Sequence, residues 1–553
     1  MKEVKELILK YVLQNAVRYN KAEVGPIVGK VIGEKPELKS KTKELVAEIK
    51  KIVDEVNAMD NSDRVEKLQK LAPELLEKKE EKEKVLDELP NAQKGKVVMR
   101  FAPSPSGPLH VGHSYVLLLC SEYCKKYNGK LILRLEDTNP ENIYAPAYKM
   151  LEEEAKWITG DNISKVLIQS DRLENYYDYA EELISKGNAY VCTCDAEIFR
   201  DLINAKKACP CRGLDKKEHH KRWDQMFTKY EPGEAVVRLK TDIAHKNPAQ
   251  RDFPLLRINH NEHPMQGTKY KVWPLMNFSV AVDDHDTGIT HTIRGKDHMD
   301  NERKQKYIFD YLGWKMPTHM YTGRINFIGM DVSKTETKKL IEYGKFTGWD
   351  DIRLPFLAAL RRRGYKPEAF VKYALAVGLN ENDKTITKED YFKMLDHFNK
   401  ETVEKSNRYF FIESPKKIKI TSAKPLTVKV PLHPNDEKRG FRTFKTGDEF
   451  YIQDALKKGK VYRFMHLFNF KDNKFVSEEH DVKLNAQLIH WLPVSKDLVS
   501  VELLMPDGKI VKGLGEAGLS KLKEDEVVQF ERIGFVRLDK KEKDKLTFWF
   551  AHK

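Results

Sequence analysis

Residues 97–135 read VVMRFAPSPSGPLHVGHSYVLLLCSEYCKKYNGKLILRL, and this run decides the fold. Val97–Phe101 (VVMRF) is a short strand, Ala102–Leu109 (APSPSGPL) a loop of Pro, Ser and Gly, and His113–Tyr127 a helix closed by Asn128-Gly129. Lys130–Leu135 (KLILRL) is a second strand. Strand, loop, helix and strand make one βαβ unit, and the handedness of such units gives a parallel sheet in an α/β domain. Ligands of these sheets sit beyond the carboxyl ends of the strands, where residues 102–113 lie.

The texture changes on both sides of this unit. Residues 1–95 carry apolar side chains at helical spacing (Val4, Leu7, Ile8, Tyr11, Val12; then Leu45, Ile49, Ile52, Val53) and read as a helical N-terminal appendage. Within it Glu77–Lys84 (EKKEEKEK) is a solvated helix face leading to a linker at Pro90–Gly95. Residues 96–188 form the first half of the sheet domain, and 189–272 interrupt it with four cysteines. Apolar, strand-like sequence at Asn277–Val282 resumes it over 273–335. Residues 336–412 are helical. Over 413–553 the pattern is all-β, with strands such as Leu426–Val430, Val499–Leu504 and Val527–Phe530 and turns such as Pro506-Asp507-Gly508, enough for two small barrels or sandwiches.

The length of 553 residues predicts several domains, and 40% hydrophobic with 33% charged residues describes a soluble globular chain, neither disordered nor fibrous. Six cysteines in that length exclude a disulfide scaffold, and the clustering of four points to a metal site in a reducing compartment. No apolar run approaches the roughly 20 residues that span a bilayer. Met1–Asn20 is amphipathic and charged, unlike a secretory signal, so the cytoplasm is expected. The net charge of +14 favours a polyanionic partner. Residues 1–95, 96–414 and 415–553 carry +1, +5 and +8, so the C-terminal quarter holds more than half of the excess.

Three clusters carry chemistry. His110-Val111-Gly112-His113 stands where the loop enters the helix. There free N–H groups and the dipole favour phosphate, Gly112 permits close backbone approach, and two imidazoles can donate to phosphate oxygens. Alone, such a tetrapeptide is as often a helix cap. Asp331-Val332-Ser333-Lys334-Thr335 follows Arg324–Met330 and offers a mobile lysine to a triphosphate, with Ser333 as a second donor; alone, a solvated lysine is the plainer reading. Cys192-Thr193-Cys194 and, fourteen residues on, Cys209-Pro210-Cys211 can enclose a tetrahedral structural Zn²⁺. Zinc ribbons usually space each pair more widely, and two reduced, partly buried pairs are the alternative. His219 and His220 are expected at the surface, and Cys120 and Cys124 in the core.

Arg100–His113 (RFAPSPSGPLHVGH), Arg134–Pro140 (RLEDTNP), Asp283–His298 (DDHDTGITHTIRGKDH), the Ser333-Lys334-Thr335 loop and Gly348–Gly364 (GWDDIRLPFLAALRRRG) occur in the order found in class I aminoacyl-tRNA synthetases of the glutamyl/glutaminyl group. From about residue 96 to its end the chain closely resembles the archaeal-type glutamyl-tRNA synthetases. The resemblance implies a Rossmann-like catalytic domain with an acceptor-stem-binding insertion at 189–272, a helical stem-contact domain at 336–412 and anticodon-binding barrels at 413–553. It also implies a monomer that uses L-glutamate, tRNA(Glu) and ATP with Mg²⁺, and activates the amino acid only with tRNA bound. His110, Gly112, His113, Ser333 and Lys334 map onto the two ATP signatures, with His110, His113 and Lys334 as catalytic groups. The second signature usually reads Lys-Met-Ser-Lys-Ser. Asp331, Val332 and Thr335 depart from it, and Asp331 is given no role.

By the same resemblance Arg100 lies near the amino acid's side chain and Glu136 near its α-amino group. Arg294 discriminates: glutamyl enzymes carry arginine there, whereas bacterial glutaminyl enzymes carry a small uncharged residue. Two guanidinium groups match a γ-carboxylate, and a neutral amide would leave a buried cation unpaired at about 2–5 kcal/mol. Many relatives have Tyr-Asp where this chain has Met276-Asn277; Met276 is read as core, and neither is assigned to catalysis. For RNA, Phe464, Phe468, Phe470, Trp491 and Phe530 on the basic β region serve either as stacking platforms or as barrel cores. Arg361-Arg362-Arg363 is a phosphate-binding candidate, and Lys540–Lys545 a solubilising cluster. The expected activity is glutamate–tRNA ligation, with tRNA(Gln) an open second acceptor. The rivals are a glutaminyl-tRNA synthetase, a small-molecule cytidylyltransferase and a non-catalytic RNA-binding protein.

Overall fold

The computed structural model describes residues 2–19, 21–75, 86–543 and 545–553, and its chain gathers into two compact units, 1–83 and 84–553. In the first, α1 (Lys2–Tyr19), α2 (Val24–Glu34), α3 (Thr42–Asn57) and α4 (Asn61–Leu71) turn their apolar stripes onto one core that includes Ile8, Val12, Ile49, Val53 and Leu68. The charged run Glu77–Lys84 lies outside the described residues. Pro90–Gly95, read as a linker, belongs with the second unit. Leu89 is buried in its core, the Leu89 N–H donates to the Tyr127 hydroxyl at 2.8 Å, and the Gly95 N–H donates to the Tyr127 carbonyl at 2.7 Å.

The second unit is built on β1 (Val98–Phe101), α5 (Val111–Lys126), β2 (Lys130–Leu135), α6 (Ala147–Thr159) and β3 (Lys165–Ile168). The three strands form a parallel sheet in the order β1-β2-β3, with Arg100 opposite Ile132 and Leu133 opposite Val166. α5 is buried along most of its length, and Cys120 and Cys124 lie in this core as expected. The helix returns to β2 through Gly129, where a Cβ would stand 2.4 Å from the Val97 carbonyl oxygen.

After α7 (Leu173–Lys186) the chain leaves the parallel sheet for an antiparallel one of β4 (Ala189–Cys192), β5 (Val236–Leu239), β6 (Pro254–Ile258) and β7 (Val272–Pro274), with α8 (Ala196–Asn204) and α9 (Lys216–Thr228) between the first two strands. It comes back through α10 (Met276–Asp286), which overturns the strand expected at Asn277–Val282. Phe278 through Asp284 are all buried, and a helix covered on every side loses the apolar periodicity that marks one. Parallel β8 (His291–Gly295) and β9 (Thr318–Thr322) then flank β1 on its free edge, with α11 (Met299–Leu312) connecting them. Both the N–H and the C=O of Val98 bond Thr290, at 2.9 Å each, whereas the Val97 carbonyl faces Lys130.

β10 (Ile325–Ile328) precedes α12 (Lys334–Glu342), α13 (Leu357–Arg363), α14 (Pro367–Val377), β11 (Lys384–Thr387) and α15 (Lys388–Val403). The segment expected to be helical, 336–412, thus contains β11, paired in parallel with β10, and gives way to strands at its end with Arg408–Tyr409 and Phe411–Glu413. From Arg408 the chain is all-β. Val499–Leu504 and Val527–Phe530 fall where alternation placed them, in a seven-stranded sheet, and Leu426–Pro431 pairs with Phe441–Thr446. Phe464, Phe468, Phe470, Trp491 and Phe530 are all 0% exposed, so they form barrel cores and none is a stacking platform for bases.

The arginine triplet is corrected too. Arg362 makes two bonds to Asp539 (2.8 and 2.7 Å) and one to Asp350 (2.7 Å), and buried Arg363 donates to the carbonyls of Phe550 (3.2 Å) and Ala551 (2.7 Å). Two of the three are therefore occupied in clamping α13 to the strands Gly534–Lys541 and Lys545–His552, and only Arg361 is exposed. Among the described residues no helix is long and apolar enough to cross a membrane.

Gly129→Ala is expected to destabilise the second unit by about 1–3 kcal/mol, because the new methyl meets backbone rather than a movable side chain. A lower thermal unfolding midpoint checks it, and an unchanged midpoint would refute the close approach.

Candidate active site

α5 begins at His110, which caps it: the Gly112 N–H donates to the His110 Nδ1 at 3.0 Å, and the His110 N–H to the His113 Nδ1 at 3.4 Å. The two rings stack with centroids 3.7 Å apart. Gly112 has no room for a side chain, since a Cβ would lie 3.0 Å from the His110 ring. The Val111 N–H goes to the Pro355 carbonyl (3.2 Å) and the His113 N–H to the His110 carbonyl (2.9 Å). The free amides that a helix start was expected to offer phosphate are therefore already engaged. Because each Nδ1 accepts, each neutral ring keeps its proton on Nε2, and these two N–H groups are the donors left for an anion. Burial, helped by the Lys334 charge, lowers the His110 pKa to about 3 and that of His113 well below its ordinary value, so both rings are neutral.

Lys334 comes to the same loop from α12. Its Nζ donates to the Gly107 carbonyl at 3.0 Å, so it is not the freely solvated lysine of the plainer reading. Burial lowers its pKa to about 8 against the upward pull of Glu154. Glu154, on α6, is buried, accepts the Leu109 N–H at 2.6 Å, and is raised by burial to about 8. Ser333 caps α12 through the Glu336 N–H (3.3 Å). Asp331, which had no role, accepts the Ser333 N–H at 2.8 Å and shapes the turn that delivers Ser333 and Lys334.

Arg100, Glu136 and Arg294 line one cavity of about 260 Å³ together with Gly112 and His113, so the histidine end of the helix and the arginines share a space. Met276, read as core, is 37% exposed and lines this cavity. Behind the two arginines of its wall sits Asp284 from α10, buried among three guanidinium groups. Arg134 on β2 donates to it at 2.6 Å, Arg294 on β8 at 3.3 Å, and Arg100 on β1 at 3.4 Å. Burial would raise Asp284, but Arg134, Arg100 and Arg294 hold it down at about 2. Arg134 also reaches Glu136 at 3.1 Å, which turns that carboxylate toward the cavity. Burial and the neighbouring Arg100 lower Arg294 to about 10 against the pull of Asp284, and its buried Nε has no hydrogen-bond partner. Arg134 has Glu136 and, at 4.0 Å, Asp283 besides, whereas Arg100 and Arg294, the two that line the cavity, share Asp284 as their only acid partner among the described residues, which leaves positive charge between them for a ligand to answer. Sequence reasoning missed Asp284 and Arg134 as site residues, although both lie in quoted motifs. The available signal was an aspartate pair inside the otherwise apolar run Phe278–Asp284.

Cys192, Cys194, Cys209 and Cys211 bring their sulfurs within 4.8 Å of one another, with Cys192–Cys209 at 3.8 Å and Cys194–Cys211 at 3.6 Å. Four thiolates around Zn²⁺ at about 2.3 Å lie about 3.8 Å apart, so the donor set fits a metal ion. Cys209 is drawn down to about 5, first by the bond from the Cys192 thiol and also by the Tyr190 hydroxyl. His219, expected at the surface, is only 2% exposed: its Nδ1 accepts the Val191 N–H at 3.3 Å, which makes it a support for β4.

The family described as tRNA synthetases class I (E and Q), catalytic domain, matches residues 96–405, and the anticodon-binding domain families of the same group match 406–489 and 454–539. A protein of Methanocaldococcus jannaschii named glutamate–tRNA ligase is 44% identical, and one of that name from Pyrococcus furiosus 43%, each alignment covering 100% of both chains. A solved glutamate tRNA ligase from Elizabethkingia meningosepticum, crystallised with its amino acid, is 20% identical over 56% of this chain and 70% of its own, at a TM-score of 0.41. With a catalytic-domain match over more than half of its length and full-length relatives at this identity, the chain belongs to the class I tRNA synthetases of the E and Q group.

Proposed function

We propose that this chain is a glutamate–tRNA ligase of the cytoplasm that activates L-glutamate with ATP and esterifies it to tRNA(Glu). The observation that carries the choice of amino acid is the positive charge of Arg100 and Arg294, which line the cavity and share the single carboxylate of Asp284. A γ-carboxylate fits between Arg100 and Arg294 with charge-assisted bonds, whereas a carboxamide brings no charge to meet them. Glu136 takes the α-ammonium group, which leaves the α-carboxylate free at the histidine end of the cavity. There it attacks the α-phosphorus of ATP, which enters with Mg²⁺, and pyrophosphate leaves. The Nε2–H groups of His110 and His113 and the Lys334 ammonium meet the charge that develops on the phosphates. The terminal ribose hydroxyl of tRNA then attacks the carbonyl carbon of the adenylate and AMP departs. No covalent enzyme intermediate is needed, because positioning and charge stabilisation suffice. The basic β region receives the anticodon end of the RNA, and the insertion at 189–272, braced by a structural Zn²⁺ on its four cysteines, receives the acceptor end.

Charging of purified tRNA(Glu) with labelled glutamate and ATP tests the reading, and no charging would overturn it. In the same assay Arg294→Cys is expected to lower kcat/KM for glutamate by about 100-fold or more and to narrow the preference over glutamine. Lys334 is charged below about pH 8 and neutral above it, so kcat/KM for ATP should fall as pH rises through that value. Lys334→Arg should remove the fall, since guanidinium stays charged; a pH profile identical in both proteins would refute the role. Elemental analysis should find one zinc per chain, lost in Cys209→Ser/Cys211→Ser together with a lower unfolding midpoint. A metal-free wild-type protein with the same midpoint as the double variant would exclude the zinc site.

A further inference from the structure

Behind Arg294 runs a line of amides that the activation chemistry does not use. Arg294 donates through one terminal nitrogen to the Gln305 Oε1 at 2.8 Å. The Gln305 Nε2 donates to the Asn277 Oδ1 (3.3 Å), and the Asn277 Nδ2 to the Asn301 Oδ1 (3.2 Å). The Asn301 Nδ2 then meets the His298 Nδ1 at 3.0 Å. A guanidinium group has donors only, so Gln305 must turn its oxygen to Arg294, and that choice orients every amide after it. Gln305 is 1% exposed, and both it and His298 line the amino-acid cavity. The other terminal nitrogen of Arg294 is held by Asp284, a carboxylate already shared with Arg100 and Arg134. Arg294 is thus fixed on one side by a neutral group and on the other by a fraction of a charge.

We propose that Gln305, braced by Asn277, is a specificity-positioning residue: it holds the plane of Arg294 toward the substrate carboxylate without neutralising it. This rests on the reading of the cavity as a glutamate site. A carboxylate at 305 would fill the same space and give Arg294 a counter-ion of its own, which removes the charge that glutamate answers. A methionine there would leave the charge but release its orientation. At 277 the relay needs an acceptor for the Gln305 amide, which aspartate supplies and leucine does not.

The test is aminoacylation by the full chain with tRNA present, measuring KM and kcat for glutamate, glutamine and ATP. Gln305→Glu is expected to raise KM for glutamate at least tenfold and to cut the glutamate-to-glutamine ratio of kcat/KM by a similar factor, with KM for ATP unchanged. Asn277→Leu should reproduce part of that change, and Asn277→Asp, which keeps the acceptor for Gln305 though not the donor to Asn301, should retain more of the wild-type glutamate-to-glutamine ratio than Asn277→Leu. The Asn277 pair keeps the proposal testable where Gln305→Glu does not fold. An unchanged ratio in Gln305→Glu, equal loss of glutamate and ATP use, or identical behaviour of Asn277→Leu and Asn277→Asp would overturn the relay. Failure of the wild-type protein to use glutamate would instead overturn the functional reading beneath it.

Discussion

One buried carboxylate holds the catalytic centre together. Asp284 reaches from α10 to arginines on β1, β2 and β8, so a single side chain ties three strands of the sheet to the helix that re-enters it. Removing one partner of such a cluster leaves an uncompensated buried charge, which typically costs about 3–5 kcal/mol. The arrangement is not neutral where it meets the cavity, because Arg100 and Arg294 share the one carboxylate of Asp284 between them. The fold thus keeps two incompletely answered guanidinium groups on the wall of its cavity, supported by the packing of the surrounding sheet, which is the charge the proposed substrate would meet. Stability and selectivity come from the same residues and pull in opposite directions there.

The mouth of the cavity follows a different logic. Helix starts often bind anions with their backbone, but the first turn of α5 has its N–H groups engaged by His110 and by the Pro355 carbonyl. The donors left at this end are two imidazoles whose protons are fixed on Nε2 by the capping bonds. Buried, neutral rings donate without bringing a full charge of their own, and the mobile charge is left to Lys334. The same buried glutamate that receives the Leu109 N–H faces that lysine, so the loop 102–109 is shaped by groups from α6 and α12 at once.

Much of this was legible in the sequence, for physical reasons that also mark where reading stopped. Lys130–Leu135, Val499–Leu504 and Val527–Phe530 were readable to the residue, because strands bounded by turns leave sharp edges in the pattern. α10 was read as a strand because a helix buried all round shows an unbroken apolar run. The arginine triplet was misread for another reason: charge on a helix says nothing of acids 177 residues away, and Asp539 is such a partner. His219 was misjudged because the strand it supports lies 28 residues back in the chain. In the cavity, Arg100, Glu136 and Arg294 followed from family resemblance, whereas the aspartate that unites the arginines needed the fold to be seen. The chain Gln305–Asn277–Asn301 has no sequence signature, since amides on two helices become neighbours only when the helices pack.

The clamp on α13 also orders events in time. The Leu357 N–H bonds the Leu109 carbonyl immediately before His110, while Arg363, at the other end of the same short helix, finds its acceptor carbonyl on Phe550, 187 residues later. Until that strand exists, the Arg363 guanidinium lacks its carbonyl acceptors, and α13 is held against the sheet domain by the burial of Leu357 and Leu360 without the clamp. During synthesis the clamp therefore forms only once the far β sheet is made, although the family boundary between catalytic and anticodon-binding regions falls near residue 405. A product cut off at that boundary would keep every motif of the sheet domain and still lose both carbonyl acceptors of Arg363, leaving a buried guanidinium unanswered on the helix that packs beside the His110 loop.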